Sequence, residues 1–81
     1  MNIERAAMRG KKAEAEEKRG RLRAKINGIR DALRMKLNPA LYAPEDIEMV
    51  DILQQTEDLH GAYIDLMETM AEVARLEREL K

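Results

Sequence analysis

Apolar residues return every seventh position through the C-terminal half of the chain. Ile52, Leu59, Leu66, Val73 and Leu80 form one row, and Met49, Thr56, Tyr63, Met70 and Glu77 form a second, offset by three and four. Spacing that alternates between three and four brings both rows to one face of an α-helix, so the segment reads as one long helix with a continuous seam. The neighbouring row, Leu53, His60, Met67 and Ala74, is also mostly apolar, and Val50, Ile64 and Ala71 widen the arc further. On the other side Asp51, Asp58, Asp65, Glu72 and Glu79 repeat at the same interval. They form either a solvated acidic stripe or a docking strip for something basic. The N-terminal half carries a weaker seam of Leu22, Ile26, Ile29, Leu33 and Leu37. It fades toward Ala15, Met8 and Ile3 among the small residues Ala6, Ala7, Gly10, Ala13, Gly20 and Ala24.

The two halves are separated by Asn38-Pro39-Ala40-Leu41-Tyr42-Ala43-Pro44. Proline disfavours helix at the preceding residue, so the first helix is expected over about 2–38 and a turn over 39–43. Pro44 suits the first position of a second helix, expected over about 44–80, with Glu45, Asp46 and Glu48 at the positive end of its dipole. Asn2 is the expected cap of the first helix. Arg34 and Lys36 close the first helix, and Arg75, Arg78 and Lys81 the second. Asn27-Gly28 is a pair that can turn the chain, but Leu22, Ile26, Ile29 and Leu33 keep helical phase across it. The expected fold is therefore all-α: one domain, residues 1–81, of two long antiparallel helices in a hairpin. A turn centred near residue 41 would set Leu33 against Val50, Ile29 against Leu53 and Ile3 against Leu80.

A lone hairpin buries little, and the apolar arc of the second helix is wider than one partner helix covers. Self-association of two hairpins into a four-helix bundle is the economical expectation, since two-fold dimers are the commonest oligomers. The expected core and oligomer seam comprises Met49, Ile52, Leu53, Leu59, Tyr63, Leu66, Met67, Met70, Val73 and Leu80. Leu22, Ile26, Ile29 and Leu33 face them from the first helix. The methionines are read as core fillers, which their flexible side chains suit.

Ala, Glu, Lys, Leu and Arg make up more than half of the 81 residues, a share that goes with long helices. There is no cysteine, which excludes disulfide frameworks and thiol chemistry. The near-neutral total of −1 hides a division. Residues 1–38 hold 12 Lys/Arg and 5 Asp/Glu, net +7; residues 39–81 hold 3 and 11, net −8. A basic helix beside an acidic one gains register from this. The alternative is a nucleic-acid contact through Lys18, Arg19, Arg21, Arg23, Lys25, Arg30, Arg34 and Lys36. No aromatic residues are interleaved for base stacking. No apolar run approaches the ~18 residues of a membrane span, and no Trp or Phe is present to anchor a surface helix. The opening residues lack the apolar core of a signal peptide, so a cytoplasmic location is expected.

Glu57 and His60 have the Glu-x-x-His spacing of di-iron bundles. The facing stretch, Leu22 to Ile26, offers no carboxylate, so no metal is expected. The chain has no serine, and Gly10, Gly20, Gly28 and Gly61 are isolated, so neither a Ser-His-Asp set nor a phosphate-binding loop is possible. Enzymatic activity and cofactors are not expected. Asn38-Pro39-Ala40-Leu41 resembles the turn of type III secretion needle subunits, which are hairpins of this size. The charged end Glu77-Arg78-Glu79-Leu80-Lys81 departs from their apolar C-terminus, and no family is assigned. The function expected is a non-enzymatic interaction module that binds itself as a dimer or tetramer. The alternatives are a nucleic-acid-binding accessory protein using residues 18–36 and a heteromeric adaptor or antagonist binding another helical protein.

Overall fold

Asn38 and Pro39 organise the reversal of the chain. In the computed structural model, which describes residues 3–81, the first helix, α1, spans Ile3–Lys36. Its last turn closes with the Leu37 N–H on the Leu33 carbonyl at 3.0 Å and tightens with the Asn38 N–H on the Met35 carbonyl at 3.2 Å. Pro39 cannot continue that ladder. The Asn38 side-chain oxygen accepts from the Ala40 N–H at 2.9 Å, and its carbonyl accepts from Leu41 and Tyr42 at 3.0 and 3.1 Å. One residue thus satisfies three donors of the turn.

The second helix, α2, spans Met49–Leu80 and starts later than the sequence pattern predicts. Pro44 opens only a single 3₁₀ turn, Pro44–Asp46, and Ile47 then returns to extended backbone. The chain leaves helical geometry where it turns Tyr42 and Ile47, the two half-buried residues of the connection, toward the hairpin. Glu45 and Asp46 therefore lie outside α2, whose first turn holds only Asp51. Glu48 precedes it without a side-chain cap. α1 runs unbroken through Asn27-Gly28, and no described residue has positive φ. Asn2 lies outside the described residues. No described helix is long and apolar enough to cross a membrane.

The helices pack antiparallel. The Arg5 guanidinium donates to the Leu80 carbonyl at 2.7 Å at one end, and Lys36 pairs with Asp51 at 3.5 Å at the other. Paired positions thus sum to about 86, not 83. The shift follows from the longer connection. Val50 is 81 % exposed and Leu53 60 %, so neither packs under Leu33 or Ile29, and Ile3 is 79 % exposed. The result is a rod of 64 × 17 × 14 Å with a radius of gyration of 18.3 Å, where a compact chain of this length has about 12 Å.

The seam on α2 consists of Ile52, Leu59, Leu66, Val73 and Leu80, as expected, joined by Gln55, Ala62, Thr69 and Leu76. The companion row is therefore on the other side of the first row from Met49, Tyr63 and Met70. Ala62 and Thr69 are small, so α1 can approach closely there, and Ala62, Thr69, Val73 and Leu76 are all at most 5 % exposed. Thr69 satisfies its hydroxyl within the helix by donating to the Asp65 carbonyl at 2.7 Å. On α1 the half-buried positions Arg5, Met8, Lys12, Ala15, Arg19, Leu22, Ile26, Ile29, Leu33 and Lys36 alternate by three and four, with Glu16 and Ala32 half-buried beside them. Where the aliphatic row fades, the stems of Arg5, Lys12 and Arg19 continue the cover, with the Arg5 head on the Leu80 carbonyl and the Lys12 head paired to Glu16 at 3.3 Å. Leu37 lies past the end of α1 and is exposed.

Two substitutions test this packing. Leu76→Ala should cost about 2–5 kcal/mol, because Leu76 is 1 % exposed. Gly20→Ala should instead stabilise by up to about 1 kcal/mol, since a Cβ there meets nothing within 4 Å and α1 is helical on both sides. Urea unfolding at fixed protein concentration measures both.

Candidate interaction surface

The hairpin seam has two flanks, and α2 presents different chemistry on each. On one flank stand Asp51, Asp58, Asp65, Glu72 and Glu79. Lys18 lies in a groove with Glu68 and Glu72, so the Lys11–Lys18–Lys25 row of α1 faces this acidic row. Among the described residues Lys36–Asp51 closes to ion-pair distance between the helices, and the other pairs found lie within one helix. Exposed pairs of this kind contribute about 0–1 kcal/mol each, so the flank sets register more than stability. Arg75 sits between Glu72 at 2.6 Å and Glu79 at 3.0 Å. Its hydrogen bond to Glu72, followed by the charges of Glu72 and Glu79, raises its pKa further.

The other flank of α2 is apolar and uncovered. Met49, Val50, Leu53, Tyr63, Ile64, Met67 and Met70 are all 37 % exposed or more, and Val50 reaches 81 %. They form two groups, Met49–Val50–Leu53 and Tyr63–Ile64–Met67–Met70, on either side of exposed Thr56, Glu57 and His60, and clustered rather than single exposed apolar side chains mark an interaction surface. Since the lysine row occupies the acidic flank, the Arg9–Glu16–Arg23–Arg30 row of α1 borders the apolar strip. Total accessible surface, 6235 Å², exceeds the roughly 5,000 Å² of a folded monomer of 9.3 kDa.

The expected seam residues thus divide. Ile52, Leu59, Leu66, Val73 and Leu80, with Leu22, Ile26, Ile29 and Leu33, pack within the hairpin; Met49, Leu53, Tyr63, Met67 and Met70 lie on the open strip. The methionines are not core fillers of the hairpin: Met35, Met49, Met67 and Met70 are exposed and Met8 is half-buried, while Met1 lies outside the described residues.

The basic cluster is not gathered on one face. Lys18 and Lys25 flank the acidic row, Arg23 and Arg30 flank the apolar strip, Arg19 and Lys36 lie in the seam, and Arg21 and Arg34 point outward. Arg21 is paired with Glu17 at 2.9 Å and Arg34 with Asp31 at 3.9 Å. Such a distribution gives no single track for a phosphate backbone. His60 and Glu57 are both exposed, and no group of three or more potential metal ligands occurs among the described residues. The hollows beside the seam are open grooves lined chiefly by charged side chains. No known protein family, curated protein or solved structure matches the chain.

Sequence pattern alone did not mark Gln55, Ala62 and Thr69 as seam positions. Gln55 places its side-chain oxygen in the seam, buried and without a hydrogen-bond partner. A buried acceptor left unmade costs about 1–3 kcal/mol. Gln55→Leu should therefore raise the urea midpoint at fixed concentration; a lower midpoint would mean that the carboxamide is satisfied in solution.

Proposed function

We propose that this chain is a non-enzymatic interaction module that acts by self-association, with a second copy covering the apolar strip of α2. The observation that supports it is the strip itself: two exposed apolar groups on one helix, Met49–Val50–Leu53 and Tyr63–Ile64–Met67–Met70, joined through Thr56 and His60 and bordered by charge. Two hairpins joined there would place four helices side by side, giving α2 a second line of burial opposite its own α1. The adaptability of methionine suits such a surface, because its unbranched side chain repacks against an imperfect match.

Light scattering across a dilution series tests the proposal. The expected mass is twice 9.3 kDa at high concentration, falling on dilution, with a melting temperature that rises with concentration. Leu53→Asp with Met67→Asp should give a helical monomer, since both side chains are already exposed in the hairpin and their loss costs its seam nothing. A 9.3 kDa particle at the highest concentration, or a dimer unmoved by the double change, would contradict it.

A further inference from the structure

Resting on that reading, we infer that the two α2 helices meet in parallel about a two-fold axis along the rod, with Arg30 of one copy beside Glu57 of the other. Two arrangements overlay the strip on itself, and charge separates them. In the antiparallel one the axis crosses α2 near residue 60, the midpoint of the strip. Both α1 helices then fall on the same side. Positions on the two helices of a hairpin sum to about 86, from the Arg5–Leu80 and Lys36–Asp51 contacts. The antiparallel dimer therefore brings Arg23 against Arg30 of the partner subunit, a like-charge contact repeated by symmetry.

In the parallel arrangement the α1 helices lie on opposite sides. Each residue of the Leu53–His60–Met67 row meets its own copy, and the Met49–Tyr63–Met70 row meets Val50 and Ile64 of the partner subunit. Arg30 stands beside position 56 of its own hairpin by the same sum, and so beside Glu57 of the partner subunit. Glu77 likewise faces Arg78 of the partner subunit. Neither Glu57, Glu77 nor Arg78 forms an ion pair within 4 Å among the described residues, and Arg30 makes only a 3.4 Å hydrogen bond to Asn27. The charges bordering the strip are thus available to a second copy: Arg30 meets Glu57 only in the parallel sense, where Glu77 also lies between Arg9 of its own hairpin and Arg78 of the partner subunit.

The chain has no cysteine, so single cysteines report the arrangement directly. Leu53→Cys alone and Met67→Cys alone should each form a disulfide-linked dimer on mild oxidation, and outward-facing Met35→Cys should not. Arg30→Glu should weaken the dimer roughly three- to tenfold, Glu57→Arg likewise, and the two together should restore it, the size expected for exposed charge pairs. Leu53→Cys and Met67→Cys that do not link alone but link when mixed would overturn the parallel arrangement while leaving self-association intact. A wild-type mass of 9.3 kDa throughout would overturn both.

Discussion

A pair of helices shares one line of contact, about two rows of residues wide on each, and only side chains on that line leave water. α2 carries more apolar residues than the line can hold. The packing resolves the competition in favour of close approach rather than bulk. Ala62 and Thr69 occupy the seam while the larger Tyr63 and Met70, one residue further along, stay outside. A small residue lets the α1 backbone come near, so neighbouring Val73 and Leu76 are covered almost completely. The open strip is what remains after that choice.

Charge then distinguishes the two sides of the rod. The lysine row of α1 lies along the acidic row of α2, so this side is matched within the chain and gains little from a partner. On the other side Arg23 and Arg30 of α1 border apolar surface, and neither forms an ion pair within 4 Å among the described residues. The division of the chain into a basic and an acidic half is thus only partly spent on intramolecular pairing. The Lys36–Asp51 ion pair crosses between the helices.

The fold was legible from punctuation and period. Pro39 ends α1, the three-and-four spacing carries both helices, and the row from Ile52 to Leu80 lies in the hairpin seam. Three features escaped for physical reasons. The companion row was placed on the side of Met49, Thr56, Tyr63, Met70 and Glu77, whereas the packing puts Gln55, Ala62, Thr69 and Leu76 in the seam. Arg5, Lys12 and Arg19 read as surface residues by charge, yet their alkyl stems supply the cover that aliphatic residues supply near Leu22 and Ile26. Pro44 had the chemistry of a helix start, but the backbone at Ile47 interrupts it, which lengthened the connection and moved the register. The open strip was visible in the sequence as excess apolar width, but which rows would be left over depended on the small residues.

The methionines allow the central claim, that Met49, Met67 and Met70 lie on a surface that only a second chain can cover, to be tested in the unmodified protein. Methyl NMR with a soluble paramagnetic agent, recorded over a dilution series, reads each side chain separately. The account predicts strong relaxation at Met49, Met67 and Met70 in dilute solution and protection of all three at high concentration, with Met35 exposed throughout. Protection of Met35, or three strip methyls that respond identically at every concentration, would contradict it.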